Sequence, residues 1–194
     1  MAPACAERSH SQWADDIRLL PMLACAAGAA KAGFAAPLPL AVPAGSFVEL
    51  GAFDGVVNSN TIMLERCYGW RGLLIEASPT NFAKLDKLSN RSATKVHSAV
   101  CKGATGDDAA GGFVEFSAAG DQFGGELELL PNATLHSHRL ARFNLRSNTT
   151  RVPCAPLRTL MARAAVPEVD FLSLDVEGAE VKVWRGQLPA PSHR

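Results

Sequence analysis

The sequence predicts an α/β fold with a central, mostly parallel sheet and helices on both faces. Two observations predict it. From Ser46 onward, short apolar runs alternate with stretches of helical pattern at the spacing of βαβ units. Three of those runs end at Gly51, Glu76 and Asp175, so small or acidic residues gather where strands leave the sheet.

The elements follow in order. Residues 1–45 are rich in Ala and Pro; the part from Ser11 to Ala30 is predicted helical, and Pro37–Gly45 an extended linker. The domain proper is expected over 46–188, with 189–194 as a tail. Ser46–Leu50 reads as the first strand, and Asn58–Tyr68 as a helix capped by Ser59 or Asn60. Gly72–Ala77 is the second strand, Pro79–Leu88 the next helix and Lys95–Val100 the third strand. From Cys101 to Pro153 the chain reads as an insertion or substrate loop around one strand, Phe113–Ser117. Leu157–Ala164 returns to helix. Val169–Val176 is apolar enough for the middle of a sheet and is placed beside the first strand. Gly178–Trp184 opens the next helix. Right-handed crossovers then put helices on both faces.

Composition excludes some classes. The 194 residues carry a net charge of zero, which lacks the basic surplus of a nucleic-acid binder. Cys5, Cys25, Cys67, Cys101 and Cys154 are scattered with no C-x-x-C pair, which speaks against zinc and is read as buried thiols. Leu19–Ala30 is the most apolar stretch, short of the roughly 20 residues of a membrane span. Glu7, Asp15 and Asp16 precede it, where a signal peptide carries positive charge. No compartment is assigned, although sequons at Asn90, Asn132 and Asn148 are compatible with secretion.

Three groups of residues carry chemistry. Glu49-Leu50-Gly51-Ala52-Phe53-Asp54-Gly55 stands at the first strand-to-helix turn, where open parallel sheets bind ligands. Its glycine spacing is not G-x-G-x-x-G, and Glu49 and Asp54 would repel a pyrophosphate. They suit a ligand with a positive amino group. Glu76 ends the second strand, where an acid can accept hydrogen bonds from both hydroxyls of an adenosine ribose. Asp175, Glu177 and Glu180 follow the last strand. The first two can position an acceptor or take its proton, and carboxylates also suit magnesium. Glu180 reads as an acid matched to a helix N-terminus. No third ligand accompanies His136 and His138, so no metal centre is assigned. Arg139, Arg142, Arg146 and Arg151 read as a solvated face.

The chain resembles FkbM-type methyltransferases. The resemblance rests on Ser11-Gln12 with Asp16, Phe47–Gly55, Ser59-Asn60-Thr61 with Leu64-Glu65, Gly69-Trp70-Arg71-Gly72, Leu74–Ala77 with Pro79 and Asn81-Phe82, and Asp170–Glu180. It implies a Rossmann-like class I methyltransferase fold binding S-adenosylmethionine. Glu49, Gly51, Asp54, Gly55 and Asn60 would hold the methionine portion and Glu76 the ribose. Ala99 to Lys102 would lie near the adenine, although Cys101-Lys102 stands where the family shows Ser-Asp. Asp175 and Glu177 would be the catalytic acids, acting on a hydroxyl of a small-molecule, glycan or lipid acceptor. The family sheet has strands beyond the last motif, so an open sheet edge is expected, covered by a partner or a further segment. Residues 47–85 also resemble the animal Star-type proteins, which share the domain but act in trafficking. An NAD-dependent enzyme is the third reading, disfavoured by the glycine spacing.

Overall fold

The computed structural model describes residues 9–24, 43–102, 111–117, 124–126 and 149–187. In chain order these form α1 (Asp15–Ala24), β1 (Ser46–Leu50), α2 (Ile62–Tyr68), β2 (Arg71–Glu76), α3 (Pro79–Leu88), β3 (Thr94–His97), β4 (Ala99–Val100), β5 (Gly112–Ser117), β6 (Gly125–Glu126), β7 (Thr149–Ala155), α4 (Leu157–Arg163), β8 (Phe171–Leu174) and α5 (Glu180–Gln187). The described strands make two four-stranded sheets.

The first sheet runs β3-β2-β1-β8 and is parallel throughout. Its strand order places β8 beside β1, as expected from the sequence. Alternation along each strand sends side chains to opposite faces. Phe47 and Leu74 join Leu20, Met63, Leu64, Trp70 and Leu85 on one face, under α1, α2 and α3. Val48, Leu50, Leu73 and Ile75 join Leu157, Leu160 and Val183 on the other, under α4 and α5. Each fully buried side chain of this size contributes roughly 1.5–3 kcal/mol, so the two clusters hold the sheet from both sides. Leu20 belongs to the first cluster, which docks α1 onto the domain. Residues 25–30 of the predicted first helix lie outside the described residues.

Local chemistry sets the boundaries. Ser78 accepts a hydrogen bond from Asn81 N, and Pro79 fills the first helical position of α3, where its missing N–H costs nothing. The helix predicted from Asn58 begins only at Ile62, after Thr61. Asn58 takes a left-handed φ of 59°, and Asn60 N and the Ser59 and Thr61 hydroxyls donate to Glu49, while Ser59 Oγ also accepts from Thr61 N and Ile62 N at the start of the helix.

Two expectations are corrected. The third strand is not continuous: it breaks at Ser98, with β3 in the first sheet and β4 in the second. Ser98 N still donates to Glu76 O, while its hydroxyl donates toward Pro153 O on β7. The segment from Cys101 to Pro153 also holds more than the one expected strand: Phe113–Ser117 falls within β5, and β6 and most of β7 accompany it. The second sheet runs β4-β7-β5-β6, with β7 parallel to β4 and antiparallel to β5.

The thiols are also corrected. Cys101 and Cys154 form a disulfide between the ends of β4 and β7, with Cα atoms 5.6 Å apart. Ala99 pairs with Cys154 and Val100 with Ala155, so the ladder itself brings the two cysteines together. Cys67 is disulfide-bonded as well. Cys5 and Cys25 lie outside the described residues, as do His136, His138, Arg139, Arg142 and Arg146. Arg151 is an exposed β7 residue beside Glu115 and over the Phe113 ring. Among the described residues no helix is long and apolar enough to cross a membrane.

Candidate functional site

A cavity opens at the carboxyl ends of β1, β2 and β8. Adjacent strands lie about 5 Å apart, so the sheet sets three acids in a row: Glu76 on β2, Glu49 on β1, and Asp175 just past β8. Residues 51–53 and 57–60 line it along the loop that follows β1. The second sheet covers it with Phe116, Gly124 and Glu126.

Glu49 is buried and fully engaged on one side. Its Oε2 accepts from Thr61 Oγ1 at 2.6 Å and Ser59 Oγ at 2.9 Å, and its Oε1 from Asn60 N at 2.8 Å. Burial pushes its carboxyl above the ordinary range; Thr61, Arg91, Asn60 and Ser59 oppose that push. A carboxylate offers about four acceptor positions, so Oε1 keeps capacity toward the cavity it lines.

Arg91 organises this loop from behind. Its side chain is fully buried, with Nε 2.8 Å from Glu65 Oε2 and a second nitrogen 3.9 Å from Glu49 Oε2. It also donates to Gly55 O at 2.7 Å, Ser59 Oγ at 3.0 Å and Thr61 Oγ1 at 2.8 Å. One guanidinium thereby ties β1, the loop and α2 together, a job its planar fork of five donors suits.

Glu76 is tied to the same loop. It accepts Phe53 N at 2.8 Å and Ser78 N at 2.7 Å. Burial outweighs these bonds and pushes its carboxyl up to about 7. Phe53 and Glu177, both at the cavity, hold left-handed φ values of 50° and 51°. Such backbone is uncommon outside glycine and gathers at functional sites.

Gly51 joins the β1 loop to the acid beyond β8. Its φ is 79°, and a Cβ there would stand 1.8 Å from Asp175 O. No other residue allows that approach. Asp175 N meanwhile donates to Leu50 O. Asp175 is open to solvent at the mouth, and partial burial with the nearby Glu180 charge raises its carboxyl above the aspartate range. Burial, then Asp175 and Glu180, raise Glu177. Glu180 behaves as a helix-start acid: its carboxylate accepts Val176 N and Gly178 N.

Of the expected site residues, Glu49, Gly51, Asn60, Glu76, Ala99, Asp175 and Glu177 all line the cavity. Asp54 and Gly55 stand behind it. Asp54 Oδ1 accepts Val56 N and Val57 N and so shapes the turn. Gly55, at φ 78°, packs against Leu85 and Ser89 of the α3 end.

The sequence motifs also left some residues without a role. Ser11 Oγ donates to Asn60 Oδ1 at 2.6 Å, and Asn60 Nδ2 donates to Ser173 Oγ at 3.0 Å, while Gln12 lines the cavity. The segment before α1 therefore reaches the site and fixes which way the Asn60 amide points. The Ser11-Gln12 pair was the only signal for it. Ser98 and Val100 line the end beside Ala99.

The donor set decides which ligand fits. Among the described residues lining the cavity there is no Lys or Arg to meet a pyrophosphate, whereas five acids line it: Glu49, Glu76, Glu126, Asp175 and Glu177. No described group of three or more His, Cys, Asp or Glu is placed to hold a metal ion. Comparison with known proteins agrees on class: a family model described as the methyltransferase FkbM domain matches residues 49–190. No curated protein and no solved structure matches the chain.

Proposed function

The chain belongs to the FkbM methyltransferase domain family, and from that premise we propose an S-adenosylmethionine-dependent O-methyltransferase of Rossmann-like class I type. The observation that carries this reading is the row of acids across β2, β1 and the end of β8, in a cavity whose described lining lacks a cation. Glu76 accepts the ribose hydroxyls, Glu49 and Asn60 flank the amino group, and Ser98 to Val100 line the adenine end. When bound, S-adenosylmethionine supplies a methyl group already activated on a sulfonium, so the protein's task is mostly alignment. Asp175, helped by Glu177, orients the acceptor hydroxyl and takes its proton. Their raised carboxyls are better bases than ordinary surface acids. The acceptor is a small-molecule, sugar or lipid hydroxyl reaching the mouth between β8 and the second sheet.

Thermal unfolding with S-adenosylhomocysteine tests the cofactor. At a hundredfold excess over its dissociation constant, a ligand of the folded state adds about 2.7 kcal/mol. No upward shift from a folded sample would leave the domain a scaffold without a methyl donor. Asp175→Ala tests the base. Turnover against a panel of sugar and lipid hydroxyls should fall roughly 10²–10⁴-fold, with the S-adenosylhomocysteine response kept. Unchanged turnover removes Asp175 from the reaction.

A further inference from the structure

The sequon Asn90-Arg91-Ser92 lies in the connection between α3 and β3. Asn90 is exposed, while its neighbours Ser89 and Arg91 are buried. Ser89 is held by its hydroxyl on Leu85 O, and Arg91 by its contacts with Glu65, Gly55, Ser59 and Thr61. Two anchored residues thus present one asparagine to solvent. Asn90 precedes the amino end of β3, whereas the cavity sits at the carboxyl ends of the strands. It is not among the cavity residues, so a large group on it leaves the site open.

An independent observation points to the compartment. Cys101 is bonded to Cys154, and Cys67 is in a disulfide too. Disulfides persist in oxidising compartments and are rare in the cytosol. The secretory lumen is also where asparagines in sequons receive glycans.

We propose that this chain matures in an oxidising secretory compartment and carries an N-linked glycan on Asn90. In the transfer, the Asn90 amide nitrogen bonds to the anomeric carbon of a lipid-pyrophosphate-linked oligosaccharide. The carbon–oxygen bond to the pyrophosphate breaks, the pyrophosphate keeps the electron pair, and the amide proton passes to a base of the transferase. The Cys101 and Cys154 thiols lose two protons and two electrons together to a thiol–disulfide oxidoreductase of that compartment. Both claims are independent of methyl transfer.

The test uses the protein isolated from its own cells. One half is alkylated without reduction and digested. The other is treated with a peptide-N-glycosidase in heavy-oxygen water, which converts a glycosylated asparagine to labelled aspartate. The expected result is label at Asn90 and a cross-linked Cys101–Cys154 peptide pair. An unlabelled Asn90 peptide overturns the glycan. Alkylated Cys101 and Cys154 overturn the compartment. As a check on folding, Asn90→Gln should lose the glycoform and keep its melting temperature, because the Asn90 side chain faces solvent.

Discussion

Replacing Arg91 with Met should lower the unfolding free energy by about 3–5 kcal/mol, the usual cost of leaving buried carboxylates without their partner. For a chain of this length that is a drop in melting temperature on the order of 10 °C. The reason is geometric. Glu49 and Glu65 both depend on this one guanidinium, and Gly55 O, Ser59 Oγ and Thr61 Oγ1 each lose a donor at the same time. The Arg91 guanidinium also sits over the Phe47 ring, 5.7 Å from its centre, so the apolar face beneath β1 is loosened as well. Arg91→Lys should not rescue, because a single ammonium cannot reach five acceptors on three elements. Adding Glu65→Gln to Arg91→Met should recover part of the loss by removing one unpaired charge. A melting temperature within about 2 °C of the parent protein would show that the network is not what holds the loop.

The second large effect is on the ligand. Glu76→Ala removes the acceptor for two ribose hydroxyls and frees Phe53 N and Ser78 N. Hydrogen bonds to a charged group are worth about 1.5–3 kcal/mol each, so S-adenosylhomocysteine affinity should fall at least about a hundredfold by calorimetry. The wild-type protein offers a sharper check through pH. Burial lifts the Glu76 carboxyl from 4.5 to about 7, so the folded state holds a proton there that the unfolded chain has released. In that window the native state binds more protons than the unfolded one. The stability contributed by this group is therefore full below pH 4.5 and declines as pH rises through about 7. The ribose, however, prefers the ionised carboxylate, so affinity should rise over the same range and be about tenfold weaker at pH 6 than at pH 8. Opposite slopes for stability and binding identify Glu76. Parallel slopes would assign the pH dependence to another group.

Much of the sheet was legible in the sequence because its signals are local. Ser46–Leu50 and Pro79–Leu88 lie where the apolar run and the Ser78-Pro79 start place them. The acids at the strand ends were legible for the same reason, since a parallel sheet collects its carboxyl ends on one edge. What was missed depends on distant partners. β7 carries Pro153, which argues against an inner strand. Yet the Pro153 carbonyl faces the β4 side and accepts from Ser98 Oγ, and β4 pairs only with Cys154 and Ala155. The missing N–H therefore breaks no ladder bond. The Cys101–Cys154 bridge could not be read from spacing, because connectivity is a property of the fold. Arg91 is a lone arginine in a polar connection, and nothing in its neighbours announces five acceptors waiting behind a loop three dozen residues upstream.

The position of β8 bears on how the molecule is made. β1 has β2 on one side within a short stretch of chain, but its other neighbour arrives late: Ser46 N meets Asp170 Oδ2 across 124 residues. Contacts this far apart in sequence close slowly. On the ribosome, the first half of the domain can pair β1 with β2 and bury one face while the β1 edge waits, an apolar strand with open hydrogen-bonding groups. Such an edge is a template for pairing with other chains. That edge stays unpaired until β8 emerges, and the cavity with its row of acids exists only after β8 has docked.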